Sequence, residues 1–499
     1  MKDLNLIIDT LNSFINLNSE VWDRIKQSIN PLENKILELI LKSHDDVEEG
    51  NQVLKDINLN SVQYQQIKHK LVSKLLKEIL VFNPSYYRYS DLQIAFVKSY
   101  QQYAIFKIMI GFGQRGLAKK IAFRLNKKAI KYKLTDIRLE TGKFLLKYYN
   151  EFDPQEDKMK FYLEDIDKAM RSQIAEHQVF LSKERIYNEL LNKTNTEIEN
   201  LFFVKSELVK LEKLKPDSVD SDRFYIDFFL LNIWVFDLEK KYDEAYLHSL
   251  KCYEYFKNLP YIHKGGEAQF LLQMTHYSLL MGNYSEARQI LSILILLKKN
   301  GSKNYVHMMK LKIQLDLTDS KYRFAIDDFR EFLLWAPLKN LRLHDKYYLL
   351  IVSNYLFFLG LDFTSKDKAT INLLEKSIDE TNCTSPYYLI SDILVQVKKR
   401  KWKAVKSRIG SLKLLEKQRI KKLDRNYRTQ FFIKMLTTIE EGYFHPTAIK
   451  RHAEKYYQKL KLVPYNLSME NSFIEIMPYE IVWEKVLSAL ETSTSTIKG

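Results

Sequence analysis

Tyr242-Asp243-Glu244-Ala245, Tyr284-Ser285-Glu286-Ala287 and Tyr322-Arg323-Phe324-Ala325 are three copies of Tyr-x-x-Ala, spaced 42 and 38 positions apart. Each follows a short polar turn and opens a run of apolar residues with helical period. The small residue lets a second helix lie close on a first, since Ala fits at the crossing. The aromatic three positions earlier staples the turn between them. Phe329, Phe332 and Pro337 stand at +4, +7 and +12 from Ala325, and Leu291 and Leu294 take the first two of these offsets after Ala287. Weaker copies begin at Trp402-Lys403-Ala404-Val405 and at Gly116-Leu117-Ala118, the latter continued by Ala122 and Leu125.

The same period governs the rest of the chain. From Asp91, the residues Leu92, Phe96, Ser99, Tyr100, Tyr103, Phe106 and Ile110 form a core-facing stripe and predict a helix to about Ile110. Tyr64, Ile67, Leu71, Leu75 and Ile79 repeat the pattern one element earlier. Breaks at Asn83-Pro84-Ser85, Gly111 to Gly116, Phe152-Asp153-Pro154, Lys215-Pro216-Asp217, Leu259-Pro260, Ala336-Pro337, Ser385-Pro386 and Val463-Pro464 cut it into helices and helical hairpins. The 499 residues include only 13 Gly and 10 Pro, where average usage gives roughly 35 and 25. That scarcity argues against a sandwich, a barrel or a many-loop enzyme. A hydrophobic content of 46%, with 32 Tyr and 28 Phe, excludes global disorder. The expectation is an all-α chain.

The Tyr-x-x-Ala series resembles the tetratricopeptide repeat, whose second helix carries Ala, a large residue, a small residue and Pro at these offsets. The likeness covers about residues 224–337. Ile233, Thr275 and Ile313 stand where the family has Gly, and the spacing exceeds the family's period of about 34. The resemblance implies a helical-hairpin solenoid of lengthened repeats over 216–463. Before it come an N-terminal helical region, 1–85, and hairpins over 86–215; after it come a capping helix with Trp483 and a frayed tail, 464–499. It also implies a non-enzymatic scaffold, adaptor or regulator that binds a protein or peptide in the concave groove of the first helices. By the family's offsets that groove takes Leu230 and Trp234, then Gln269, Leu272 and His276, then His307, Lys310 and Gln314. None of them reproduces the Lys-and-Asn clamp that some members use for a terminal carboxylate.

The formal charge of +16 is local. Arg115 to Lys133 carries eight basic residues and no acid, and Lys398 to Arg428 carries 14 against two acids. The remaining chain is slightly acidic. Lys120, Arg124, Lys127, Lys128 and Lys131 share one helix face, read as lying opposite Leu117, Ile121 and Leu125. With Lys398, Lys399, Arg400 and Lys401 they make the alternative function a nucleic-acid-associated helical-repeat protein. Aromatics for base stacking are few, mainly Trp402, Tyr427 and Tyr132. The pattern from Val47 through Ile79, turning at Asn58-Leu59-Asn60, has the form of a helix-turn-helix. It carries no Arg or Asn cluster for base reading and is read as a plain hairpin.

Gly111-Phe112-Gly113-Gln114-Arg115-Gly116 spells G-x-G-x-x-G, with Asp136 twenty positions beyond. A dinucleotide fingerprint needs a strand before it, and here a helical stripe precedes it, so a turn between helices is expected. His445, His452, His248 and His276 fall into no metal spacing, and no nucleotide-hydrolase or serine-nucleophile motif occurs. No catalytic residue, cofactor or metal is expected. The two acids in Met1 to Asp9 argue against a secretory leader, and Cys252 and Cys383 have no companion Cys. The apolar run Tyr347–Leu361 is too short to span a bilayer. These features predict a cytoplasmic protein without membrane insertion.

Overall fold

The computed structural model describes residues 27, 29–42, 61–81, 83, 89–191, 197–214, 216–297, 303–335, 341–376, 378, 386–418, 427–442, 444–463 and 475–495. Among them are twenty α-helices, one short 3-10 turn at Pro216–Ser218 and no strand, so the described chain is all-α. Pro337, Cys383 and the turn at Asn58-Leu59-Asn60 lie outside the described residues. The chain divides into two compact units between Ile174 and Ala175, with Val219–Ser221 and Pro260–Ile262 belonging to the first.

The first unit holds α1 (Pro31–Lys42), α2 (Ser61–Val81), α3 (Asp91–Gly111), α4 (Arg115–Lys131), α5 (Thr135–Glu151) and the first half of α6 (Glu156–Leu191). Ser90 starts α3 with a capping box, in which its hydroxyl accepts from the Gln93 N–H and the Gln93 side chain accepts from the Ser90 N–H. The buried stripe of α3 runs through Ala95, Ser99 and Phe106. Phe96 and Ile110, expected in the core, are 42% and 38% exposed, while Ser99 and Phe106 of the same stripe are fully buried. Ala118, Ala122, Leu125 and Ala129 bury the inner face of α4. Arg138 of α5 is buried between Asp165 and Asp220, at 2.6 and 2.7 Å.

The second unit continues through α7 (Glu197–Glu212), α8 (Asp222–Leu238), α9 (Tyr242–Lys257), α10 (Lys264–Leu280), α11 (Tyr284–Leu297), α12 (Lys303–Thr318) and α13 (Tyr322–Trp335). It ends with α14 (Leu343–Phe358), α15 (Ser365–Lys376), α16 (Pro386–Lys398), α17 (Trp402–Gln418), α18 (Tyr427–Glu441), α19 (Pro446–Lys461) and α20 (Tyr479–Ser495). Sequence neighbours pack as hairpins: α8 on α9, α10 on α11, α12 on α13, α16 on α17 and α18 on α19. Ala245, Ala287 and Ala325 each sit at the fourth position of a second helix with no exposed surface. At that position of α17 stands Val405, fully buried, while Ala404 is half-buried; the fourth copy therefore crosses on Val405. The apolar run from Tyr347 is the buried helix α14.

One turn recurs across these hairpins. Gly113, Lys133, Lys240, Gly282, Ser320 and Arg400 all have positive φ, between 51° and 77°, two positions before a helix starts. The next residue's N–H then reaches back five positions to a carbonyl: Gln114 to Met109, Leu134 to Ala129, Lys241 to Phe236, Asn283 to Ser278, Lys321 to Asp316 and Lys401 to Gln396, at 2.8–3.0 Å. This is the Schellman closure, which satisfies the orphan carbonyls of the first helix while turning the chain into the second. Four of the six positions are not Gly and hold the left-handed conformation against its steric cost.

Candidate functional site

The first helices carry the groove positions implied by the repeat. On α8, Leu230 and Trp234 are half-buried. Gln269 on α10 and His307 on α12 are also half-buried, whereas Leu272, His276, Lys310 and Gln314 are 1–6% exposed and lie inside the protein. The imidazole of His276 has no hydrogen-bond partner at Nε2. Burial, helped by nearby His307, lowers its pKa to about 3, so it is neutral. Lys310 pairs with Asp345 at 2.5 Å and lies over the Tyr348 ring. An open groove is therefore absent at these four positions.

Different elements cover these positions: Asp345 and Tyr348 of α14 meet Lys310, and the chain near Glu475 meets Gln314. Gln314 donates from Nε2 to the Glu475 carbonyl at 3.2 Å. Ile476, Met477, Tyr479, Val482, Trp483 and Val486 are all at most 3% exposed. Tyr479 stacks on Phe432 of α18 with ring centroids 4.1 Å apart, and α20 packs on α16 as well as on α19. Arg428 of α18 holds the segment: it donates to Glu475 at 2.8 and 2.9 Å, to Glu480 at 2.5 Å, and to the carbonyls of Leu460 and Val463. Burial opposes the guanidinium's charge, but the two carboxylates hold its pKa above the ordinary arginine value. The helix expected to act as a cap packs on α19 and α16, and Glu475, four positions before Tyr479, reaches Gln314 of α12. No local sequence signal joins Arg428 to an acid 47 positions away.

The cationic face of α4 is open. Lys120, Arg124, Lys127 and Lys131 are exposed and Lys128 is half-buried, on the side of α4 away from its buried alanines. Leu117, expected opposite, is 49% exposed and shares the cationic side. That follows from the helical period: Leu117 is three and seven positions from Lys120 and Arg124. No carboxylate pairs with any of these cations among the described residues. Their immediate neighbours differ, since Lys119 pairs with Asp153 at 2.8 Å and Lys133 stands 4.0 Å from Asp220. Lys127 lies over the Phe123 ring and Lys131 over the Tyr132 ring, at 4.4 and 5.1 Å.

The second basic cluster is partly spent. Lys398, Lys399, Arg400 and Lys401 are exposed at the turn into α17, with Lys399 over the Phe357 ring. Lys406 and Lys413 pair with Glu440, Arg408 pairs with Asp392, and Arg428 is buried. Residues 419–426 lie outside the described residues. The glycine motif is the turn from α3 to α4: Ile108-Met109-Ile110 is helical, and only Gly113 needs its glycine, at φ +72°. A Cβ at any of its three glycines would meet nothing within 4 Å, so it forms no tight phosphate cradle. Cys252 is buried and its thiol is pushed up to about 12, which removes its nucleophilicity. Among the described residues no group of three or more His, Cys, Asp or Glu is placed to hold a metal ion, and no helix is long and apolar enough to cross a membrane. No protein-family model, curated protein or solved structure matches the chain.

Proposed function

We propose that this chain is a non-enzymatic cytoplasmic binding protein of tetratricopeptide-like hairpins, and that the outer face of α4 holds a phosphate-rich polyanion, nucleic acid in particular. One observation carries the reading: four exposed cations stand in line at steps of four, three and four, with no carboxylate among the described residues to neutralise them. Eleven residues of helix space them over roughly 16 Å, a reach that suits several successive phosphates. The cations over Phe123 and Tyr132 put aromatic surface beside the charge. Recurrence of one turn at six hairpins supports the solenoid reading, and two unaccompanied cysteines support the compartment.

The test is binding of single- and double-stranded nucleic acid against salt. Release of four counterions gives a slope of log affinity on log salt of about −3 to −4. Reversing Lys120, Arg124, Lys127 and Lys131 to Glu should abolish retention. A protein that ignores nucleic acid at low salt would end this reading.

A protein or peptide partner at the first-helix faces is the second reading, confined to Leu230, Trp234, Gln269 and His307. Its support is α8, which is apolar around most of its circumference yet has Leu230 and Trp234 only half-buried. Partners recovered by pull-down should vanish with Trp234→Ala and persist with the α4 reversals.

A further inference from the structure

α6 presents two different faces. Tyr162, Asp165, Ala169, Ser172, Val179 and Ile186 are buried within the chain. Nearly opposite lie Leu163, Met170, Ile174 and Leu181, exposed at 57%, 45%, 49% and 48%. Their steps of seven, four and seven put them within a narrow arc of the helix, the spacing of a coiled-coil seam. A single apolar residue on a surface needs no explanation, but four in line over roughly 27 Å of one helix do.

The stripe has a symmetry of its own. Leu163 and Leu181, and Met170 and Ile174, are equidistant from position 172. The seam positions between and beyond them are Asp167 and His177, then Lys160 and Glu184, and these pairs are equidistant from the same point. All four are exposed. Lys160 and Glu184 have no ion-pair partner among the described residues, and Asp167 pairs only with Arg171 on its own helix, at 2.9 Å.

We propose that this face of α6 docks on the same face of α6 in a second copy of the chain, antiparallel, about a two-fold axis near position 172. In that register Leu163 meets Leu181 of the second copy and Met170 meets Ile174. Lys160 then meets Glu184, and Asp167 meets His177, so every acid in the seam faces a base. A flanking pair agrees, since Asp157 comes opposite Arg185; Arg171 meets its own copy and is offset by Asp167. A parallel pairing would instead set each of these charges against its own kind, which costs stability. An isologous interface of this kind is self-complementary by construction. About five turns of two-helix contact fall below the roughly 1,200 Å² of a standard interface, so the dimer is concentration-dependent.

Sedimentation of the full chain across a range of concentrations tests this. The weight-average mass should rise from 59.5 kDa toward twice that value. Met170→Glu with Ile174→Glu should hold it at the monomer. Lys160→Glu alone, or Glu184→Lys alone, should weaken association roughly tenfold or more. The double variant K160E/E184K should recover it, because the pair is restored only in the antiparallel register. A wild-type chain that stays monomeric overturns the proposal, as does a charge swap that fails to recover association while helix content and melting stay unchanged. Dimerisation that survives M170E/I174E would place the interface elsewhere. None of these outcomes depends on nucleic-acid binding, which α4 variants report separately.

Discussion

Arg428 and Lys127 both come from basic stretches of sequence, yet Arg428 is 7% exposed and Lys127 is open to solvent. Arg428 meets two carboxylates and two carbonyls that the C-terminal segment and α19 bring to it. Lys127 meets an aromatic ring and, among the described residues, no acid. A count of like charges along a chain therefore mixes two kinds of residue. Some hold the fold together, and others are left over for something outside it. A buried charge persists only with compensating partners, so Arg428 is architecture. An exposed uncompensated row costs the fold little and attracts polyanions.

The largest effect is expected of Arg428→Ala. It removes the guanidinium that faces buried Glu475 and should cost about 3–5 kcal/mol in denaturant unfolding of the second unit. Lys127→Ala should stay within about 0.5 kcal/mol of wild type, as ordinary surface changes do. Equal unfolding midpoints for the two variants would erase the distinction.

A middle-sized effect concerns His276, which the same inner region keeps neutral. Its pKa in the fold is about 3 against 6.5 for the free side chain. As pH falls below 6.5 the unfolded chain takes up a proton that the fold refuses. Stability from this group is whole above that pH and is lost toward pH 3, with a limiting slope of about 1.4 kcal/mol per pH unit. Urea midpoints at pH 7 and pH 5 should therefore fall less steeply for His276→Leu than for wild type. Parallel slopes would mean that His276 is charged inside the protein.

The smallest effect sharpens the other side. Asp153 accepts from Lys119 at 2.8 Å, next to the open row. Asp153→Ala releases Lys119 as one more cation, so the salt slope of nucleic-acid binding should steepen by roughly 0.7 to 0.9. An unchanged slope would show that Lys119 lies off the binding path.

Much of the architecture was legible in the residues. Tyr-x-x-Ala marks three second-helix starts, the helical period placed α2 and α3, and the weak copy at Ala118, Ala122 and Leu125 falls on the buried side of α4. The misplacements have a common origin. Phe96 and Ile110 are periodic and apolar, and Leu117 is apolar near an apolar stripe, but which arc of a helix is covered depends on where its neighbour crosses. The recurring turn was also hidden, because Lys133, Lys240, Ser320 and Arg400 take a conformation usually signalled by Gly. In the candidate site, the α4 row follows from local spacing. The burial of Gln314 does not, since it meets Glu475 across 161 positions.

The all-α class, the three Tyr-x-x-Ala helix starts and the two concentrations of positive charge are legible in the residues, because each rests on positions close together in the chain. Which cations meet an acid among the described residues, and which surfaces are exposed, came from the folded chain. Pairing, burial and closure depend on side chains that meet across dozens of positions, and a one-dimensional pattern carries no record of those distances.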